Sequence, residues 1–114
     1  MEIESTVPSH RTSLLLSIII PAYNEELRLP PTLARVAAFL RAQSYTAEVI
    51  VVENGSTDNT FGAVEQFMRE HTRPEDPFSI RLLRSAPGKG AAVKQGMLNA
   101  KGAYLIMSDA DLSV

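Results

Sequence analysis

The chain has 114 residues, 45% of them hydrophobic, which supplies one domain-sized core and excludes two. Its 11 basic and 13 acidic residues leave a net charge of −2, so no whole-chain nucleic-acid footprint exists. It has no cysteine, which excludes disulfides and thiolate metal sites, and His10 and His71 fall in separate polar stretches unsuited to zinc.

No apolar run reaches the ~18 residues of a membrane span. The start, Met1-Glu2-Ile3-Glu4, lacks the basic region of a signal peptide. These features predict a cytoplasmic protein; any seat at the cytoplasmic face of a membrane would come from segments outside this sequence. Residues 1–12 are polar and aperiodic and read as a loose or disordered tail, with the folded part at 13–114.

Leu14 to Ile20 is nearly continuously apolar, the pattern of a strand buried on both faces of a parallel sheet, and Pro21 is read as its end. A short turn over 24–29 leads to a helix beginning near Pro30 or Pro31, where proline is tolerated at the first position. Leu33, Val36, Ala37 and Leu40 give that helix one apolar stripe, fading by Gln43-Ser44. Glu48 to Glu53 is a second buried strand. The turn and capping residues Asn54 to Thr60 introduce a second helix, with Phe61, Val64, Phe67 and Met68 inward. After a loop closed by Pro74 and Pro77, the alternating segment Ser79 to Leu83 predicts a strand nearer a sheet edge.

Ser85 to Gly90 forms a tight loop feeding a third helix, with Val93, Met97 and Ala100 on one side and Gly102 as a left-handed C′ residue. The fourth strand is 103–107. The order β-α-β-α-β-α-β predicts an open, mostly parallel, Rossmann-like α/β sheet with flanking helices. Such sheets bind ligands beyond the carboxyl ends of their strands.

The loops at those ends carry Tyr23 and Glu25, Glu53 and Asn54, Gly88 and Lys89, and Asp109 and Asp111. Asp109-Ala110-Asp111 follows a buried strand, and its carboxylates suit Mg²⁺ or Mn²⁺ bridging a diphosphate. Taken alone, the pair fits a strand-terminating turn better, and its place after a strand of an α/β sheet is what favours the metal reading. Gly88-Lys89-Gly90 fits neither the G-x-x-x-x-G-K-[ST] nor the G-x-G-x-x-G pattern, though Lys89 at a helix start suits an anion. Tyr23 offers a ring for stacking on a base, though its segment also fits a capped helix start with a surface tyrosine. The Asn54 to Thr60 stretch likewise reads as a capped loop.

Together the segments Ser17 to Glu26, Val51 to Asp58, Gly88-Lys89-Gly90 and Ser108 to Asp111 resemble family 2 glycosyltransferases of the GT-A fold. Gly88 to Met97 looks most like the dolichyl- or polyprenyl-phosphate glucosyl- and mannosyltransferase branch. The likeness runs from about Leu14 to Val114. It implies that Pro21, Ala22, Tyr23, Glu25, Glu53, Asn54, Gly88 and Lys89 hold the nucleotide sugar. It also implies that Asp109 lies near ribose and diphosphate and that Asp111 ligates the metal. The family usually has two aspartates where this chain has Glu53-Asn54.

The resemblance implies an inverting, metal-dependent transfer from an NDP-sugar, UDP-glucose or GDP-mannose, to a polyprenyl or dolichyl phosphate. The family's catalytic base would lie after Val114, so residues 1–114 read as the donor-binding half, inactive alone. Two other classes compete. A nucleotidyltransferase would carry a glycine- and arginine-rich loop after the first strand, and this chain has none. A non-catalytic interaction domain would self-associate through the edge of its last strand.

Overall fold

The computed structural model describes residues 14–111, so the tail read at 1–12 and the C-terminal 112–114 lie outside the described residues. Seven elements alternate: β1 (Leu14–Ala22), α1 (Leu29–Arg41), β2 (Ala47–Glu53), α2 (Thr60–His71), β3 (Phe78–Arg84), α3 (Lys89–Asn99) and β4 (Gly102–Met107). The four strands form one sheet in the order β3-β2-β1-β4, and every pairing is parallel. The chain thus moves outward from β1 to β3, then returns to place β4 on the other side of β1. There 103–107 are exposed and do not form the buried strand expected from their apolar run, since among the described strands β4 pairs with β1 alone at the sheet edge. Strand order reverses at β1 and β4, the position where open α/β sheets open a ligand crevice.

Pleat alternation divides the core. Ile20, Ala22, Val49, Val51, Phe78 and Ile80 pack against the apolar faces of α1 and α2, from Leu29, Leu33, Val36, Ala37, Leu40, Val64 and Phe67. Ile50 and Val52 point to the other face, where Ala92 of α3 covers them. β2 is therefore buried along its whole length, which explains its unbroken apolar run.

β1 continues past the predicted stop and includes Pro21. The Ser108 amide donates to the Ile19 carbonyl, while the Asn54 amide donates to the Ala22 carbonyl on the opposite side. Odd-numbered residues of β1 thus face β4, and the N–H that Pro21 lacks would point beyond Met107, where β4 has ended. No ladder bond is lost, so the proline is tolerated.

Three helix expectations also need correction. α3 turns Ala92 and Gly96 inward, while Met97 stays 55% exposed. The reason is proximity: a Cβ on Gly96 would meet Ile19 Cγ2 at 2.5 Å, so small residues set how closely this helix lies on the sheet. Gly102 is the first residue of β4 and has no positive φ, and the helix ends on Ala100 in extended conformation. The glycine is required because a Cβ there would meet Leu16 C and Ser17 N, each at 2.7 Å. Phe61 sits half-buried at the rim of α2, its ring beneath the Arg84 guanidinium at 3.8 Å, and not in the core.

A buried polar knot closes the end of the sheet away from the strand tips. Glu48 is 1% exposed and accepts from Ser17 Oγ (2.7 Å), Arg81 Nη1 (3.0 Å) and the Lys101 amide (2.6 Å). Ser17 Oγ in turn accepts from the Gly102 amide at 2.8 Å. The knot ties the α3–β4 corner to β1 and β2 and so fixes the register of β4.

Candidate active site

The loops following β1, β2, β3 and β4 converge on one open cleft of about 590 Å³ at the carboxyl ends of the strands. Of the residues singled out from sequence, Pro21, Tyr23, Glu25, Asn54, Gly88, Lys89, Asp109 and Asp111 line it. Ala22 and Glu53 do not; they lie beneath it, 0% and 5% exposed.

Glu53 supports the site's floor. Its Oε2 accepts from the Ser56 amide, and Arg84 Nε stands 3.5 Å from Oε1. Burial pushes this carboxyl up, but the hydrogen bonds from Ser56 and Gly55 and the charge of Arg84 outweigh it, holding it below the usual range. Asn54 Nδ2 donates to the Ala22 carbonyl at 3.2 Å through one of its two N–H groups, and its amide oxygen is a further acceptor.

The loops after β1 and β2 are clasped together. Asn24 adopts φ 54, a left-handed conformation that asparagine tolerates. In that pose its Oδ1 accepts from the Thr57 amide at 2.8 Å, and its own amide donates to Ser56 Oγ at 2.9 Å. The Glu25 amide donates to Thr60 Oγ1 (2.9 Å), the Glu26 amide to Asp58 Oδ2 (3.2 Å), and the Asn59 amide to Glu26 Oε1 (3.0 Å). The polar stretch Asn54 to Thr60 thus works chiefly as a brace for the Tyr23 loop.

The two aspartates flank a buried residue. Ala110 is 3% exposed within the main core, and its carbonyl accepts from Thr32 Oγ1 of α1. With the middle residue anchored, Asp109 and Asp111 both present to the cleft, with side chains 44% and 45% exposed. Lys89 Nζ donates to Asp109 Oδ1 at 2.8 Å. Arg28 Nη1 stands 3.9 Å from Asp111 Oδ2, while its Nε and Nη2 each donate to Glu25 at 2.7 Å.

Among the described residues no group of three or more His, Cys, Asp or Glu is placed to hold a metal. Two carboxylates on an open cleft still fit Mg²⁺ or Mn²⁺, which take one or two protein carboxylates and complete their shell with phosphate oxygens and water. Sequence reasoning missed Arg28, Pro87 and Ala110 as cleft-lining residues. For Arg28 the one available signal was its spacing of three from Glu25, a helical-turn distance that allows the pair to meet.

A family model, glycosyl transferase family 2, matches residues 17–114, which include all four loops. The chain belongs to glycosyl transferase family 2. Among curated relatives, the dolichyl-phosphate beta-glucosyltransferase of Drosophila melanogaster is 44% identical over 104 residues, covering 87% of this chain. That of Homo sapiens is 34% identical over 101 residues, covering 84%. The chain spans 31% of the length of each of these relatives.

Family 2 membership agrees with the fold seen in solved structures. Mannosyltransferase PcManGT from Pyrobaculum calidifontis, in complex with GDP-Man and Mn²⁺, superposes with a TM-score of 0.70 at 27% identity, over 89% of this chain and 29% of that one. S. aureus TarS in complex with UDP-GlcNAc gives 0.61 at 27% identity, over 86% and 27%. The Rossmann-like GT-A architecture expected from the sequence is therefore the architecture of this chain. No helix among the described residues is long and apolar enough to cross a membrane.

Proposed function

We propose that residues 13–114 form the donor-binding half of a glycosyltransferase that moves a sugar from an NDP-sugar to a dolichyl or polyprenyl phosphate. The observation that carries this reading is the meeting of four strand-end loops in one cleft, with Tyr23 and Asn54 at one part and Lys89, Asp109 and Asp111 at another. Tyr23, 52% exposed, offers its ring to the base, and Asn54 and Pro21 complete that wall. Ala22 and Glu53 contribute from beneath by shaping the loop that carries these contacts.

Asp109 and Asp111 would hold Mg²⁺ or Mn²⁺, which supplies charge neutralisation to the departing diphosphate. Lys89, paired with Asp109 and freely exposed at the start of α3, is placed to follow that charge as it develops. The transfer is read as inverting, with the catalytic base outside this chain, so 1–114 alone would bind donor without turnover. Glucose is the sugar favoured by the names of the curated relatives, with UDP-glucose the donor read from the sequence, and GDP-mannose is the alternative favoured by the PcManGT complex. A lipid-phosphate acceptor sets the reaction at a membrane surface, which we read as the cytoplasmic face.

Calorimetric titration of the chain with UDP or GDP, with and without Mn²⁺, tests the reading. Nucleotide binding strengthened by Mn²⁺ is expected, and Asp111→Ala should abolish the strengthening. Metal-dependent binding that persists unchanged in Asp111→Ala would sink the metal role. A second reading, self-association through β4, draws on a separate observation: this edge strand exposes Tyr104 at 66% and Leu105, Ile106 and Met107 at 44–45%. Sedimentation as a monomer at all concentrations would remove it.

A further inference from the structure

We infer that Arg28 is a diphosphate-binding residue, oriented by Glu25, and that Glu25 acts through it and not on the nucleoside directly. The inference rests on the donor-site reading above.

The cleft's ionisable lining carries three carboxylates (Glu25, Asp109, Asp111) against two cations (Arg28, Lys89), a net of −1. A nucleoside diphosphate brings further negative charge into that surface, so a divalent cation and both basic side chains are needed to offset it. The two basic residues are set to do this from different sides. Lys89 begins α3, and Arg28 immediately precedes α1; these helices pack on opposite faces of the sheet. A diphosphate lying across the strand ends beside Asp109 and Asp111 is therefore bracketed by them.

Glu25 explains how so exposed an arginine is held. Arg28 is 61% exposed at its side chain, whereas that of Glu25 is 14% exposed. The bidentate pair occupies Nε and one edge of Nη2, fixing the guanidinium plane. Of the five N–H donors of an arginine, both on Nη1 and one on Nη2 remain outside that pair. Nη1 is the nitrogen that stands 3.9 Å from Asp111. As a surface i, i+3 pair alone, Glu25–Arg28 would matter little to stability. Its place on the cleft wall beside Asp111 gives it a use that stability does not.

The two carboxylate oxygens of Glu25 each receive one bond from Arg28, so the side chain's acceptors are turned to the arginine. That is the reason for assigning it a positioning role rather than a nucleoside contact.

The test compares nucleoside diphosphates with their nucleosides. The chain is titrated with UDP and uridine, and with GDP and guanosine, at constant Mn²⁺, as wild type, Arg28→Gln, Arg28→Lys and Glu25→Gln. Arg28→Gln should weaken diphosphate binding about tenfold or more, the value of a lost charge-assisted hydrogen bond, and leave nucleoside binding unchanged. Arg28→Lys should recover part of the loss, and Glu25→Gln should mimic Arg28→Gln in direction with a smaller effect. Equal diphosphate affinity in wild type and Arg28→Gln overturns the inference, as does a parallel loss of nucleoside and diphosphate binding. Glu25→Gln losing nucleoside binding overturns the positioning role. Wild-type chain that binds neither diphosphate overturns the donor-site reading itself, and this inference with it.

Discussion

The hydroxyl of Thr32 donates to the carbonyl of Ala110, joining the first helix to the aspartate pair across 78 positions of sequence. Both residues are buried, Thr32 at 1% and Ala110 at 3% exposure. The bond is the nearest thing to a foundation for Asp109 and Asp111, whose own side chains are half in solvent.

Thr32→Val keeps the shape and removes the donor, leaving a buried carbonyl unpaired. A loss of about 1–3 kcal/mol of stability is expected in urea denaturation. Mn²⁺-dependent nucleotide binding should weaken in the same variant under conditions where it remains folded. A folded variant with unaltered binding would show that the aspartates are held by something else.

Gly96→Ala tests the close approach of α3. Alanine is the better helix former by about 1 kcal/mol. Its Cβ would nevertheless meet the branched, buried Ile19 at Cγ2, 2.5 Å away, and overpacking of this kind costs about 1–3 kcal/mol. Ile19 has no flexible end to move aside, so the net change should be destabilising, read as a lower urea midpoint. A stabilised Gly96→Ala would mean that α3 rides freely on the sheet.

Glu48 makes the fold sensitive to acid. Burial pushes its carboxyl up, but hydrogen bonds from Ser17, the Lys101 amide and Arg81, with the charge of Arg81, outweigh it, and it ionises below its ordinary 4.5. A carboxyl with a lowered folded pKa stabilises fully above its unfolded value and loses that contribution as pH falls through the folded value. Stability should therefore hold from neutral pH to about 4.5 and fall below it. Glu53 is lowered too and shares this window, while Asp58 and Asp76, lowered from an ordinary 3.8, add their loss only below that value. Glu48→Gln should cost about 3 kcal/mol at pH 7, from breaking a buried ion pair, and flatten the acid-side slope. Wild-type and variant curves that run parallel from pH 7 to 3 would contradict this origin of the slope.

The sheet was legible because β1 and β2 are covered on both faces, and such strands leave unbroken apolar runs in the sequence. The stripe of α1 was legible for the same reason, since Leu33, Val36, Ala37 and Leu40 all reach the core. α3 was misread because it docks through the absence of side chains: Gly96 and Ala92 carry no apolar signal, while exposed Met97 carries one. Gly102 was misread because close backbone approach and a left-handed turn both demand glycine, and sequence alone does not separate them. In the cleft, the strand-end residues could be placed from the alternation of elements. Arg28 could not, since its part depends on how Glu25 and Asp111 meet in space.

The clasp centred on Asn24 divides the cleft mechanically. On one side the loops after β1 and β2 are sewn to each other through backbone amides, so Tyr23 and Asn54 move as one rigid jaw. On the other, the loops after β3 and β4 meet through the solvent-exposed ion pair of Lys89 with Asp109. With the backbone anchored at Ala110, these two exposed side chains are the compliant part. A nucleotide would therefore meet a preformed seat for its base and a yielding one for its phosphates, and fit would be completed from the phosphate end.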